Sequence, residues 1–240
     1  MSRGLRDADV LDYWEAGLRT PPPLRGIRWV AALDALTIDE AAALPLGEVH
    51  RRLIAAHGAT FGQHLAACAD CPQCGTPVEL TLGLADLDLA PSAAPLALRW
   101  GEFEATGRVL RAADVADLPA APDHATACHL LAERTLSEVR HAGRPVPVAA
   151  LPAEALAAFG EQIAAADPAQ EIVLDLGCPA CGGRWSCALD VAAFFGHALA
   201  YRARELLLQV DTLARAYGWS EAQILGLSPA RRASYLELAE

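Results

Sequence analysis

"CPQCG" at Cys71–Gly75 and "CPACG" at Cys178–Gly182 are one five-residue pattern written twice, the second starting 107 positions after the first. Each puts two cysteines on a tight turn, and the glycine that follows permits the positive φ such a turn needs. Backbone N–H groups of the turn can then face thiolate sulfur. One Cys-x-x-Cys turn supplies two of the four ligands that tetrahedral zinc takes, so two turns give a complete set: Cys71, Cys74, Cys178 and Cys181. The repeat predicts that the fold carries two distant half-sites to one Zn2+ ion. Four thiolates leave no position open for water, so the expected metal is structural and not catalytic.

The chain has seven cysteines. An odd count and an expected reducing compartment favour ligation over disulfides. Cys68, Cys71 and Cys74 also form C-x2-C-x2-C, a spacing used by iron–sulfur proteins. Cys68, however, falls at the expected end of a helix and lacks the Pro and Gly that mark the other pairs. Cys128 and Cys187 read as buried small hydrophobes.

Outward from the second turn, "EIVLDLG" (Glu171–Gly177) leads in as a strand and "RWSCALD" (Arg184–Asp190) leads out, the hairpin of a zinc ribbon. The first turn is expected to be entered from a helix running from about Leu46 through Ala67. It is left through "VELTLGL" (Val78–Leu84), which alternates as a strand does. Many ribbons separate their pairs by roughly 15–20 residues, so the intervening chain reads as an insertion. It holds two short strands about a turn near Gly101, then helices over Ala125–Arg140 and Pro152–Ala166.

At the N-terminus, Asp7–Leu18 has helical spacing, with Val10, Leu11, Trp14 and Leu18 on one side. Consecutive prolines in "TPPPLRG" (Thr20–Gly26) break it. Thr37 with Glu40 three residues on forms a capping box. The strongest helix runs from about Val191 to Tyr217, stopped at Gly218. Ser220 and Ser228-Pro229 then cap two short helices. The expected fold class is α+β: mostly helical, with a small antiparallel β module around a split zinc ribbon. The segments are an N-terminal helical region (1–70), the first knuckle and strands (71–120), a helical insertion (121–167), the ribbon hairpin (168–190), and the long helix with a C-terminal helical hairpin (191–240), all in one compact unit.

Composition limits function. The net charge is -11, and every one of the 19 basic residues is Arg. No polybasic run offers a duplex-binding face, so nucleic acid is not the expected partner. A zinc-ribbon nucleic-acid or transcription-associated module stays as the alternative, should Arg51, Arg52, Arg202 and Arg204 gather in space. No apolar run is long enough to span a bilayer, and the charged N-terminus lacks a signal-peptide core, so a cytoplasmic protein is expected. His50, His57 and His64 recur every seven residues and read as a partly exposed helix face. No phosphate loop, nucleophile elbow or zinc-protease motif occurs; an enzyme is not expected, and no small-molecule substrate is implied. A pocket gathering His124, His129 or His141 with carboxylates would reopen that question.

The long helix is apolar over more than one stripe, including Phe194 and Tyr201, as a helix buried on several sides is. The tail adds Trp219, Ile224, Arg231, Arg232 and Tyr235, the aromatic and arginine types that interfaces enrich. These seven residues are the candidate partner-binding set; the competing reading is packing within the chain.

"LPLGEVHRRLIAAHGATFGQHLAACADCPQCGTPVELTL" (Leu44–Leu82) and "EIVLDLGCPACGGRWSCALDVAAFFGHALAYRARELLLQVDTLARAYGWSEAQILGLSPARRASYLEL" (Glu171–Leu238) resemble small baseplate proteins of contractile phage tails and phage-tail-like contractile injection systems. The LP-x-G element, both knuckles, "LARAYGWSEAQIL" and "LSPARR-x-x-YL" carry the resemblance together. It implies a non-catalytic structural or assembly role, with baseplate, hub or tape-measure proteins as partners. Gly196 departs from the larger residue expected inside the long helix.

Overall fold

A computed structural model describes residues 4–87, 89–92, 95–116, 118 and 121–239. The chain is α+β, mostly helical, with only antiparallel strand pairs among the described residues. Its N-terminal half contributes α1 (Asp7–Leu18), α2 (Arg25–Leu33), α3 (Ile38–Ala42) and α4 (Leu46–Phe61). The proline break is real but short: a single 3-10 turn at Pro22–Leu24 leads straight into α2, a helix the sequence reading did not foresee. Thr37 and Glu40 close the capping box at the start of α3. Val10 and Leu11 of α1 are buried, while Leu18 faces solvent.

The first correction concerns the approach to Cys71. α4 stops at Phe61, because Gly62 takes φ +110° and turns the chain out of the helix. Residues expected to be helical instead form β1 (His64–Asp70), paired with β2 (Pro77–Gly83). Both cysteine turns are therefore tips of β-hairpins. The second hairpin is β7 (Val173–Gly177) with β8 (Arg184–Ala188), as expected.

Between the hairpins lies a unit with its own core. β3 (Leu96–Trp100) and β4 (Phe103–Gly107) turn at Gly101, whose φ is +55°. α5 (Ala112–Val115) and α6 (His124–Thr135) follow. The second correction falls here: α6 ends at Thr135, and residues expected to continue it become β5 (Leu136–His141). β5 pairs with β4 and, through β6 (Arg144–Pro145), completes a four-stranded sheet in order β3-β4-β5-β6. Pairing beside β4 overrides the local helical pattern. A boundary between 120 and 121 thus cuts through one sheet. α7 (Ala153–Ala165) closes this core with Phe159 and Ile163 against Leu98, Leu136 and Val139.

The main core gathers α1, α2, α4 and the long helix α8 (Val191–Tyr217) around Val30, Leu53, Phe195, Leu199 and Leu206. α8 ends at Gly218, left-handed at φ +69°, and α9 (Glu221–Leu225) and α10 (Pro229–Ala239) fold back on it. Trp29 is the largest fully buried side chain. Its Nε1 donates to the Tyr13 carbonyl at 2.9 Å, and its ring meets Phe195 edge-on at 5.4 Å. The indole lies between two glycines. A Cβ at Gly17 would stand 2.6 Å from Trp29 Cζ2, and one at Gly196 would stand 2.8 Å from Cη2. The glycine inside α8 therefore makes room for a tryptophan of α2, far back along the chain.

Asp167, fully buried, joins the core to the segment after α7. It accepts the Gly47 N–H at 2.9 Å near the start of α4 and faces Arg51 Nη1 at 3.4 Å. A carboxylate 120 residues away thus serves the open N–H groups of that helix. The histidine stripe breaks up. His50 Nδ1 lies 2.8 Å from the Ala169 carbonyl, His57 is buried between Phe61 and Phe194, and His64 belongs to β1.

Two outcomes follow. Helix propensity alone predicts that Gly196→Ala stabilises α8 by about 0.5–1 kcal/mol. The Trp29 contact reverses the sign, so urea denaturation is expected to show a loss of about 1–3 kcal/mol. Burial lowers the His57 pKa below its ordinary value, opposed by a backbone hydrogen bond at Gly62. The unfolded chain therefore takes up a proton first, and stability falls as pH drops below about 6.5. His57→Leu is expected to flatten that slope in urea midpoints measured between pH 5 and 7.5.

Candidate metal centre

The two hairpin tips are near copies. In the first, Cys71 N–H donates to the Thr76 carbonyl (3.0 Å) and Gly75 N–H to the Cys71 carbonyl (2.8 Å). In the second, Cys178 N–H donates to the Gly183 carbonyl (2.8 Å) and Gly182 N–H to the Cys178 carbonyl (2.9 Å). Gly75 and Gly182 hold φ at +71° and +73°, a region that costs side-chain-bearing residues energy.

The fold brings these tips face to face. One ligand atom from each of Cys71, Cys74, Cys178 and Cys181 falls within a set whose members lie within 4.8 Å of one another. Across the gap, Cys71 Sγ lies 3.7 Å from Cys181 Sγ, and Cys74 Sγ lies 3.6 Å from Cys178 Sγ. A disulfide needs about 2.05 Å. A tetrahedron of sulfurs at the zinc–thiolate distance of about 2.3 Å has an edge of about 3.8 Å. The observed separations match the tetrahedron edge and exclude bonded sulfur. The four cysteines can hold a metal ion, and their chemistry fits a thiophilic divalent cation.

Burial divides the set. Cys71 and Cys178 are 2% and 3% exposed and pack with Val78 and Trp185, whereas Cys74 and Cys181 face solvent. Gln73 of the first tip reaches over the second: a Cβ on Gly183 would meet its Oε1 at 2.4 Å. Gly183 N–H donates to Cys181 Sγ at 3.4 Å. The thiols do not titrate alike. Hydrogen bonds from the Thr76 side chain and backbone draw Cys74 down to about 6. The Gly183 N–H favours the Cys181 thiolate, yet the neighbouring cysteine sulfurs push that thiol up to about 12. Crowded sulfurs cannot all ionise unless a cation offsets their charge.

The remaining cysteines stand apart. Cys68 lies on β1 opposite Glu79, exposed and outside the four-sulfur set, so the three-cysteine spacing gathers no cluster. Cys128 and Cys187 are half-buried, less enclosed than expected. Cys128 Sγ sits 3.5 Å from His124 Nε2, at a largely apolar cavity of about 820 Å³ that His129 also lines. His141 is elsewhere, stacked on Phe103 at 4.3 Å.

The candidate partner residues are dispersed. Tyr201 is 70% exposed, Arg231 is exposed, and Phe194 is half-buried beside His57. Trp219 and Tyr235 pack edge-on at 4.8 Å, joined by Tyr217. Ile224 and Arg232 face inward, 0% and 2% exposed. Arg232 Nε donates to Gln209 Oε1 at 2.7 Å, and Nη2 pairs with Asp7 of α1. These two hold the tail to the body, which corrects their placement on a docking surface. Sequence reasoning missed Asp7, whose carboxylate stays below its ordinary range. Burial opposes this, and hydrogen bonds from Arg232 and Arg202 prevail. Compared with known protein families, curated proteins and solved structures, the chain matches none.

Reconstituted protein is expected to bind one metal per chain by elemental analysis, and its Co2+ form to show tetrahedral thiolate bands. Cys71→Ser or Cys178→Ser abolishes both; Cys68→Ser leaves both unchanged. A bridge across a loop of about a hundred residues is worth about 4–5 kcal/mol of chain entropy, so chelation should lower stability by that order.

Proposed function

We propose that this protein is a non-enzymatic structural or assembly component of a contractile tail baseplate, clamped by one structural Zn2+. The observation that carries the metal reading is the pair of 3.6 and 3.7 Å sulfur separations between the tips. The assembly reading rests on the sequence resemblance of both knuckle segments and the C-terminal segment. It is supported by a 27-residue α8 that leaves Tyr201 and Leu208 exposed at 70% and 60%. Solvent-facing aromatic and aliphatic side chains one heptad apart suit a protein partner. Hub, baseplate or tape-measure proteins are the partners in this reading.

The nucleic-acid alternative loses three of its four arginines to intramolecular pairs. Arg51 and Arg52 bond Glu48, Arg52 also bonds Asp34, and Arg202 bonds Asp7 and Glu205. No helix among the described residues is long and apolar enough to cross a membrane.

The test is capture of purified baseplate components by immobilised protein. Truncation at Gly218 is a poor variant, because it strips Ile224 and Arg232 from the core. Tyr201→Ala with Leu208→Ala removes exposed groups only. The double variant should keep its metal and its unfolding midpoint while losing capture at least tenfold. Undiminished capture would sink the α8 assignment, and gel shifts that vanish steeply with salt would favour the nucleic-acid module.

A further inference from the structure

Besides converging on one point, the sulfurs of the metal centre sort into two pairs. Cys74 and Cys181 face solvent, whereas Cys71 and Cys178 are buried. Each exposed sulfur has a buried sulfur of the opposite tip beside it. Cys74 Sγ stands 3.6 Å from Cys178 Sγ, and Cys181 Sγ stands 3.7 Å from Cys71 Sγ. One member of each pair is open to a dissolved oxidant, and the other is shielded from it. A peroxide-attacked cysteine and the cysteine that resolves it divide their work in this way.

Little movement separates these pairs from a covalent bond. A disulfide needs about 2.05 Å, so each pair has to close by about 1.6 Å, a distance that side-chain rotation covers. The tips also meet through contacts that involve no cation. Gln73 of the first tip lies over Gly183 of the second, its Oε1 4.0 Å from Cys181 Sγ. Val78 and Trp185 pack with the two buried cysteines.

We propose that the cluster is a redox-responsive clamp. Peroxide converts the four thiols to two disulfides across the tips, Cys74–Cys178 and Cys71–Cys181. A bound metal is expelled, and the hairpins stay joined. In each pair the exposed thiolate attacks one peroxide oxygen, the O–O bond breaks and hydroxide departs, leaving a sulfenic acid. The buried thiolate then attacks that sulfur, the S–O bond breaks and a second hydroxide leaves. Two thiolates thus give up two electrons, and one peroxide becomes two hydroxides. The first disulfide already removes two of the four ligands that a tetrahedral ion takes. It also removes the repulsion between crowded thiolates that a cation would otherwise offset. The clamp rests on the four-sulfur geometry and holds whether or not the partners belong to a contractile tail.

The experiment titrates full-length, metal-loaded protein with hydrogen peroxide and follows released metal with a chromogenic chelator. Products are alkylated and mapped by mass spectrometry without reduction. Complete metal loss is expected, with peptides of the two tips joined to each other. Dithiothreitol should part them and restore binding of one metal per chain. Cys74→Ser is expected to form Cys71–Cys181 alone and leave Cys178 open to alkylation. Cys68→Ser should keep the wild-type pattern. The urea midpoint of oxidised, metal-free protein is expected to exceed that of reduced, metal-free protein. The proposal is overturned if the disulfides lie within each turn, if Cys68 takes part, if oxidation runs to sulfinic acid, or if the oxidised midpoint is no higher than the reduced one. Cross-tip pairs in a protein that binds no metal would uphold the covalent clamp and sink the zinc reading.

Discussion

Four sulfurs from two turns, more than a hundred residues apart, lie within 4.8 Å of one another, and two pairs across the gap stand at the edge length of a zinc–thiolate tetrahedron. Each turn is locally self-sufficient, held by two backbone hydrogen bonds and a left-handed glycine. Their meeting is not local at all. It requires that the unit between them return the chain to its starting point, and that crowded thiols be compensated by positive charge. The unit between them meets the first demand by folding on its own core of Leu98, Leu136, Val139 and Phe159. A bound divalent ion would meet the second, and coordination would then be coupled to folding.

Other long-range contacts secure the same geometry. Asp167, just past α7, is inserted at the start of α4, so the return of the chain is registered against the helix that precedes β1. Leu46 N–H donates to the Leu110 carbonyl and Ala112 N–H to the Leu44 carbonyl, tying the inserted unit to the same point. Breaking a buried charged contact of this kind costs several kcal/mol, because the surviving partner is left desolvated. On the opposite side, Asp7 receives both Arg202 and Arg232. The tail is therefore part of the body.

The sequence by itself determined the four cysteines that converge, both hairpins' cysteine turns, the approximate span of α8, and the caps at Thr37, Ser220 and Gly218. These features follow from residue chemistry within a few positions: thiolate pairs, capping hydroxyls, glycine at positive φ. Tertiary structure alone decided that residues 64–70 are a strand, that residues 136–141 leave α6 to pair with β4, and that Ile224 and Arg232 turn inward. It alone explained Gly196, whose reason is the indole of Trp29. In each case the deciding partner lies far along the chain, and neither periodicity nor propensity carries information about a neighbour that only folding supplies.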